Sequence, residues 1–156
     1  GEPGAVWGTW SRAVEFEIMT GSVGMVVPVG NGLEVDSSVA LDPSIIDPKQ
    51  RFMAGAPLGK TVGNTALWNI ENNSNADKPV GEWNTLDLYV FANHAVHVVN
   101  GAPVMEVWGI CDKASESAPC EPLIHGAIQL QSEGAETFFR NITIEPINSL
   151  PAIEVR

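Results

Sequence analysis

The sequence predicts an all-β fold, an antiparallel two-sheet sandwich of the jelly-roll kind. Three observations predict it. Apolar and polar residues alternate through several short runs. Fifteen glycines and eleven prolines punctuate those runs. No segment holds a 3.6-residue period that would argue for a helix.

The runs follow in order. "RAVEFEIM" alternates from Arg12 to Met19 and is followed by a Gly-Ser-Val-Gly turn and a second strand in "GMVVPVG". From Asn31 to Asp77 the chain is rich in Asp, Asn, Pro and Ser and shows few clear strands. Stretches this long in a compact domain are functional loops or strand excursions. "TLDLYVFA" alternates from Thr85, and "AVHVVNGAPVMEVWG" reads as a hairpin turning at Asn100-Gly101. Both turn residues tolerate the positive φ of a type I′ turn. "AIQLQ" and "FFRNITIEPI" read as a final core hairpin around Ser132-Glu133-Gly134-Ala135, with Ile128 and Leu130 facing inward. Residues 1–147 are expected to form the sandwich, and 148–156 a tail or an extra edge strand.

Length and charge bound the function. At 156 residues the chain is one domain, and 44% hydrophobic residues suffice for a core. The net charge of −11, from 19 acidic and 8 basic residues, argues against nucleic acid and against an anionic membrane. No apolar run approaches the ~20 residues that span a bilayer. Cys111 and Cys120 bracket the polar, Pro-containing loop "CDKASESAPC". A disulfide there is worth ~2.5–3 kcal/mol in the chain-entropy model and places the protein in an oxidising compartment. No CxxC or His-rich partner accompanies them, so no metal site is predicted at the cysteines.

Glu15 and Glu17 lie two apart on a strand, so both leave the same face, with Cβ atoms about 6–7 Å apart. Val14, Phe16 and Ile18 fit the core side. Paired carboxylates at this spacing serve glycoside cleavage, one as acid and one as base or nucleophile; a solvated strand face is the plainer reading. His97 alternates with Val96 and Val98 and is the candidate acid, against a hydrogen-bonded sheet histidine. Among five tryptophans, Trp7 and Trp10 flank the Glu strand and are the candidates for stacking on a sugar; Trp83 reads as core. Gln131 shares the non-core face of its run, and Arg140 and Asn141 point opposite ways. One of those two faces the ligand side, and an Arg facing Glu15 or Glu133 would form a charge-assisted pair.

"WSRAVEFEIMTGSVG", "KPVGEWNTLDLYV", "HVVNGAPVM" and "GAIQLQSEGAETFFRNITIEPI" recur in the order of a known family. Over residues 10–146 the chain resembles the 3-keto-disaccharide hydrolase domain family. The resemblance implies a concanavalin A-like sandwich and a carbohydrate-related role in secreted or periplasmic bacterial proteins. It also implies a chemistry. A ketone at C3 acidifies the C2 proton, a base removes it, and the C1 glycosidic oxygen leaves. Glu15 or Glu17 would be the base. Arg12, Lys60 or Arg140 would hold the enolate oxygen, or a divalent cation held by carboxylates would do so. The chain departs from the family pattern at Glu17, where Gln is usual, and at Met25, where Asp is usual. It also begins past strands that the family pattern carries, so those strands are expected from a preceding segment, a second chain or another copy. A lectin-like binding module and a structural subunit are the competing readings.

Overall fold

A computed structural model of the chain describes residues 4–150. Nine strands form two sheets, and no helix occurs among the described residues. The small sheet is the hairpin β1 (Ala13–Phe16) and β2 (Val26–Val29). The large sheet is built on β3 (Leu33–Leu41), β4 (Gln50–Phe52), β5 (Leu58–Val62), β6 (Leu86–Phe91), β7 (His94–Val99), β8 (Ala102–Lys113) and β9 (Cys120–Pro122). Its order is β4-β3-β8-β7-β6, with β5 also on β3 and β9 also on β8, and every pairing is antiparallel. The architecture is therefore the expected all-β sandwich.

The core lies between the sheets. Val26, Val35, Phe52, Ile70, Val99, Val104, Met105 and Val107 are essentially inaccessible there. Val14 and Phe16 of β1 pack against this cluster. Each fully buried aliphatic or aromatic side chain contributes about 1.5–3 kcal/mol. Paired residues share a face, so Ala95, His97, Met105 and Val107 point inward, while Val96, Glu106 and Trp108 point outward.

Two tight turns carry the geometry. The β7–β8 hairpin turns at Asn100 (φ 51) and Gly101 (φ 82), as the Asn-Gly pair requires. The β1–β2 hairpin is extended by Glu17 N–H donating to Met25 O at 2.9 Å and Gly24 N–H donating to Glu17 O at 2.8 Å. Gly24 has φ +97, and a Cβ there would meet Val104 Cγ2 at 2.3 Å. Ser22 Oγ donates to Glu71 and Asn72 Nδ2 donates to Val23 O, which fixes this turn from the neighbouring loop.

The region from Asn31 to Asp77 holds β3, β4 and β5, so the loop-like composition concealed three strands. The final core hairpin does not form. Residues 125–147 contain no strand, and Ile128 and Leu130 are exposed at 71% and 52% rather than inward. Alternation specifies two faces but not a partner edge, and among the described residues this segment pairs with none. Trp83 is likewise not core: it is 45% exposed, and the Arg140 guanidinium lies 3.9 Å above its ring. At the sheet edge, Leu86, Leu88 and Val90 of β6 remain 37%, 46% and 49% exposed. The expected tail falls mostly on residues 151–156, which lie outside the described residues, and 148–150 form no strand.

Cys111 and Cys120 form a disulfide across β8 and β9, with a Cα–Cα distance of 5.4 Å. Unreduced, denatured protein should show no titratable thiol, and reduction should lower stability by about 2–3 kcal/mol. Gly24→Ala should cost about 2–4 kcal/mol through strained backbone and the clash with Val104, read as a drop in melting temperature.

Candidate functional site

The outward face of the small sheet carries a cleft of about 360 Å³. Because Phe16 and Val14 face the core, the period of two sends Glu15 and Glu17 outward. Val27, opposite Glu15, and Val29 line the floor with Pro28. The walls come from elsewhere. Val26 pairs with Ile70 in both directions, which brings Trp68 and the Asn64-Thr65 turn alongside. Trp7 and Trp10 close the cleft from the N-terminal side, and Glu133 reaches in from the strandless C-terminal segment.

The electrostatics are acidic. Burial pushes the Glu15 carboxyl up to about 7, and the charges of Glu17 and Glu133 push it the same way. Glu17 is positioned by its own backbone, since its Oε1 accepts N–H bonds from Ile18 at 2.9 Å and Met19 at 3.1 Å. A carboxyl poised near neutrality in an open cleft is the profile of a general acid or base.

Of the candidates read from the sequence, the structure brings Glu15, Glu17, Trp7 and Trp10 together. The others lie apart from the cleft. His97 is on the core face of β7, 2% exposed. Its Nδ1 is 2.8 Å from Gly24 O, and its ring stacks on Phe16 with centroids 4.3 Å apart. It is therefore a hydrogen-bonded core histidine, separated from Glu15 and Glu17 by the β1–β2 sheet itself. Arg12 pairs with Asp112 through both carboxylate oxygens and borders a smaller neighbouring hollow with Trp7 and Asn64. Lys60 is committed to Glu34 and Asp36 on the large sheet. Arg140 lies over Trp83, and Gln131 is exposed outside the cleft. Sequence reasoning did not single out Trp68, Asn64 and Thr65. They reach the cleft only through the β2 bridge to Ile70, for which the sequence carries no local signal.

The carboxylates of Glu15, Glu17 and Glu133 are donors of the type that a hard divalent cation takes. Their oxygens do not converge to within 4.8 Å of one another, however. Among the described residues only Glu34, Cys111 and Cys120 do so. Those sulfurs are bonded to each other, and Glu34 is held by Lys60 and Lys113. Neither grouping fits a metal as it stands.

The structure is an all-β sandwich bearing an aromatic-walled acidic cleft, and the family its sequence falls in is carbohydrate-active. The chain belongs to the family described as the 3-keto-alpha-glucoside-1,2-lyase-like domain, whose profile matches residues 5–145 and whose fold is concanavalin A-like. No curated protein and no solved structure matches it. The disulfide fits an extracellular or periplasmic setting, and no described helix is long and apolar enough to cross a membrane.

Burial holds the His97 imidazole down at about 4, against the opposing pull of the Gly24 carbonyl. Its folded pKa lies below the unfolded value of 6.5. The unfolded chain therefore binds the proton first, and the stability this group contributes is present above pH 6.5 and lost as pH falls toward 4. Imidazole NMR resonances of His97 should stay those of the neutral ring from pH 8 to 5 and titrate with a midpoint of about 4. A midpoint near 6.5 would show a solvent-reached histidine instead.

Proposed function

We propose that the cleft cleaves 3-keto-glycosides by acid–base chemistry, with Glu15 as the general base. The observation that supports this is the Glu15 carboxyl, raised to about 7 within a cleft walled by Trp7, Trp10 and Trp68. A carboxylate of that basicity takes a carbon-bound proton more readily than an ordinary one, yet is half ionised at neutral pH. The ketone at C3 acidifies the proton at C2. Glu15 removes it, the C–H electrons form the enolate, and the C1–O bond breaks. The leaving oxygen takes back the proton from Glu15, and water then adds across the C1–C2 double bond. Burial, with the charges of Glu17 and Glu133 behind it, keeps Glu15 basic, and the indoles stack on the ring's C–H faces. The donors the cleft offers a developing oxyanion are neutral: indole N–H groups and the Asn64 amide hydrogen not given to Asn31, the Thr65 hydroxyl being spent on the Val62 carbonyl.

One observation favours a second reading. Among the described residues no Lys or Arg lines the cleft, and an enolate gains most from a cation. A groove that binds the sugar without turning it over is the lectin-like alternative.

Release of aglycone from a 3-keto-glucoside separates the two. A general base should show kcat/KM rising with pH through about 7. Glu15→Gln should lower it by about 10²–10⁴-fold with the melting temperature nearly unchanged. Glu17→Gln should move the rising limb to lower pH, because it removes a negative neighbour of Glu15. Saturable binding with no aglycone release by the unsubstituted protein would establish the binding module.

A further inference from the structure

The outward face of the large sheet carries a second set of polar and aromatic side chains, on the side of the molecule away from the core and from the small sheet. Cross-strand register aligns them. Asp36 of β3 pairs with Lys60 of β5 on one side and with Trp108 of β8 on the other. Glu106 lies two residues before Trp108 on the same face. Its partner in β7 is Val96, and His94 lies two before that. The result is a row, Lys60–Asp36–Trp108–Glu106–His94, running across four adjacent strands.

Each member of the row is held in place. Lys60 Nζ bridges Glu34 at 3.0 Å and Asp36 at 3.1 Å. Lys113 Nζ holds the other oxygen of Glu34 at 2.6 Å. Burial works against the charge of Glu34, but the two ammonium groups outweigh it and keep its carboxyl below the usual range. At the other end His94 Nε2 is 2.9 Å from Glu106 Oε1, and its ring plane stands at 78° to that of Trp108 with centroids 6.1 Å apart.

Between the two ends the ladder is irregular in a way that admits Asp36. The β3–β8 register shifts between Glu34 and Asp36. Gly109 stands beside Trp108 with φ +61, and a Cβ there would lie 2.6 Å from Asp36 Oδ2. Only glycine allows this carboxylate to sit against the backbone next to the indole. A plain solvated sheet face has no need for a bulge, a glycine and two anchored ion pairs around one tryptophan. Such fixed rotamers are what a binding constellation needs.

We propose that this face is a second carbohydrate-binding surface, in which Trp108 stacks on a neutral sugar ring and Asp36, Glu106 and Lys60 take its hydroxyls. The chemistry of the residues names the ligand. An indole offers a flat apolar platform with a polar edge. Carboxylates accept from hydroxyls and an ammonium donates to them in short charge-assisted bonds. Acidic and basic groups alternate along the row, and the chain carries a net charge of −11, so a polyanionic glycan gains nothing while a neutral one gains a full set of partners. This surface is separate from the Glu15 cleft and does not depend on turnover there. It would hold a polymer or a second sugar while the cleft is engaged.

The test uses the full chain labelled with 5-fluorotryptophan, its five ¹⁹F resonances assigned by single Trp→Phe substitutions. Maltose and cellobiose, each titrated to saturation or to 50 mM, are the probes. The expected result is a saturable shift of the Trp108 resonance. Asp36→Asn should weaken that response about tenfold, the worth of one hydrogen bond to a charged group. Asp36→Asn keeps the side chain's shape, so the readout does not rest on removing the Trp108 ring from the fold. The proposal is overturned if neither sugar moves the Trp108 resonance, whether or not those of Trp7, Trp10 and Trp68 respond. It is overturned equally if Trp108 responds in full in the Asp36→Asn protein. A failure confined to Trp7, Trp10 and Trp68 bears on the cleft alone.

Discussion

The imidazole of His97 ties the two sheets together. It faces inward from β7, stacks on Phe16 of β1, and meets the carbonyl of Gly24 at the end of the same hairpin. Replacing that ring by an aliphatic one would leave a carbonyl without this partner in a dry interior, a loss of about 1–3 kcal/mol. The orientation of β1 follows from it. With Phe16 committed to the ring beneath, Glu15 and Glu17 have only the opposite face left. The acidic cleft thus depends on a residue that never reaches it.

This dependence explains what was legible in the sequence. The period of two in Val14, Glu15, Phe16 and Glu17 located the carboxylates, because alternation fixes faces without reference to the rest of the chain. The same logic placed His97 opposite Val96 and Val98. It could not say which face of β7 is the dry one, since Val96 and Val98 are buried as well, at 2% and 7%. At Val96 and Val98 the outward face is shielded by its neighbours as well, and alternation does not tell the core face where side chains are buried on both sides.

The C-terminal segment failed for a different reason. Its pattern is strand-like throughout, but a strand exists only with a partner, and sequence pattern does not name partners. The Asn-Gly turn succeeded where this failed because both strands of the β7–β8 hairpin are within a few residues of each other. Glu133 therefore reached the cleft as part of an irregular segment, and its effect on Glu15 could be found only in three dimensions. The large sheet's outward row was hidden likewise: Lys60, Asp36, Trp108 and His94 are far apart in the chain and meet only through register.

The β6 strand has a colloidal consequence. Among the described residues it pairs with β7 alone, so its outer rim presents free amide and carbonyl groups beside half-open leucines, the arrangement that invites strand addition. What opposes contact between copies is their common charge of −11. That repulsion reaches about 30 Å at 0.01 M salt and only about 8 Å at 0.15 M. Salt therefore removes the long-range repulsion and leaves the short-range stickiness in place, so copies of the chain keep apart best in dilute buffer.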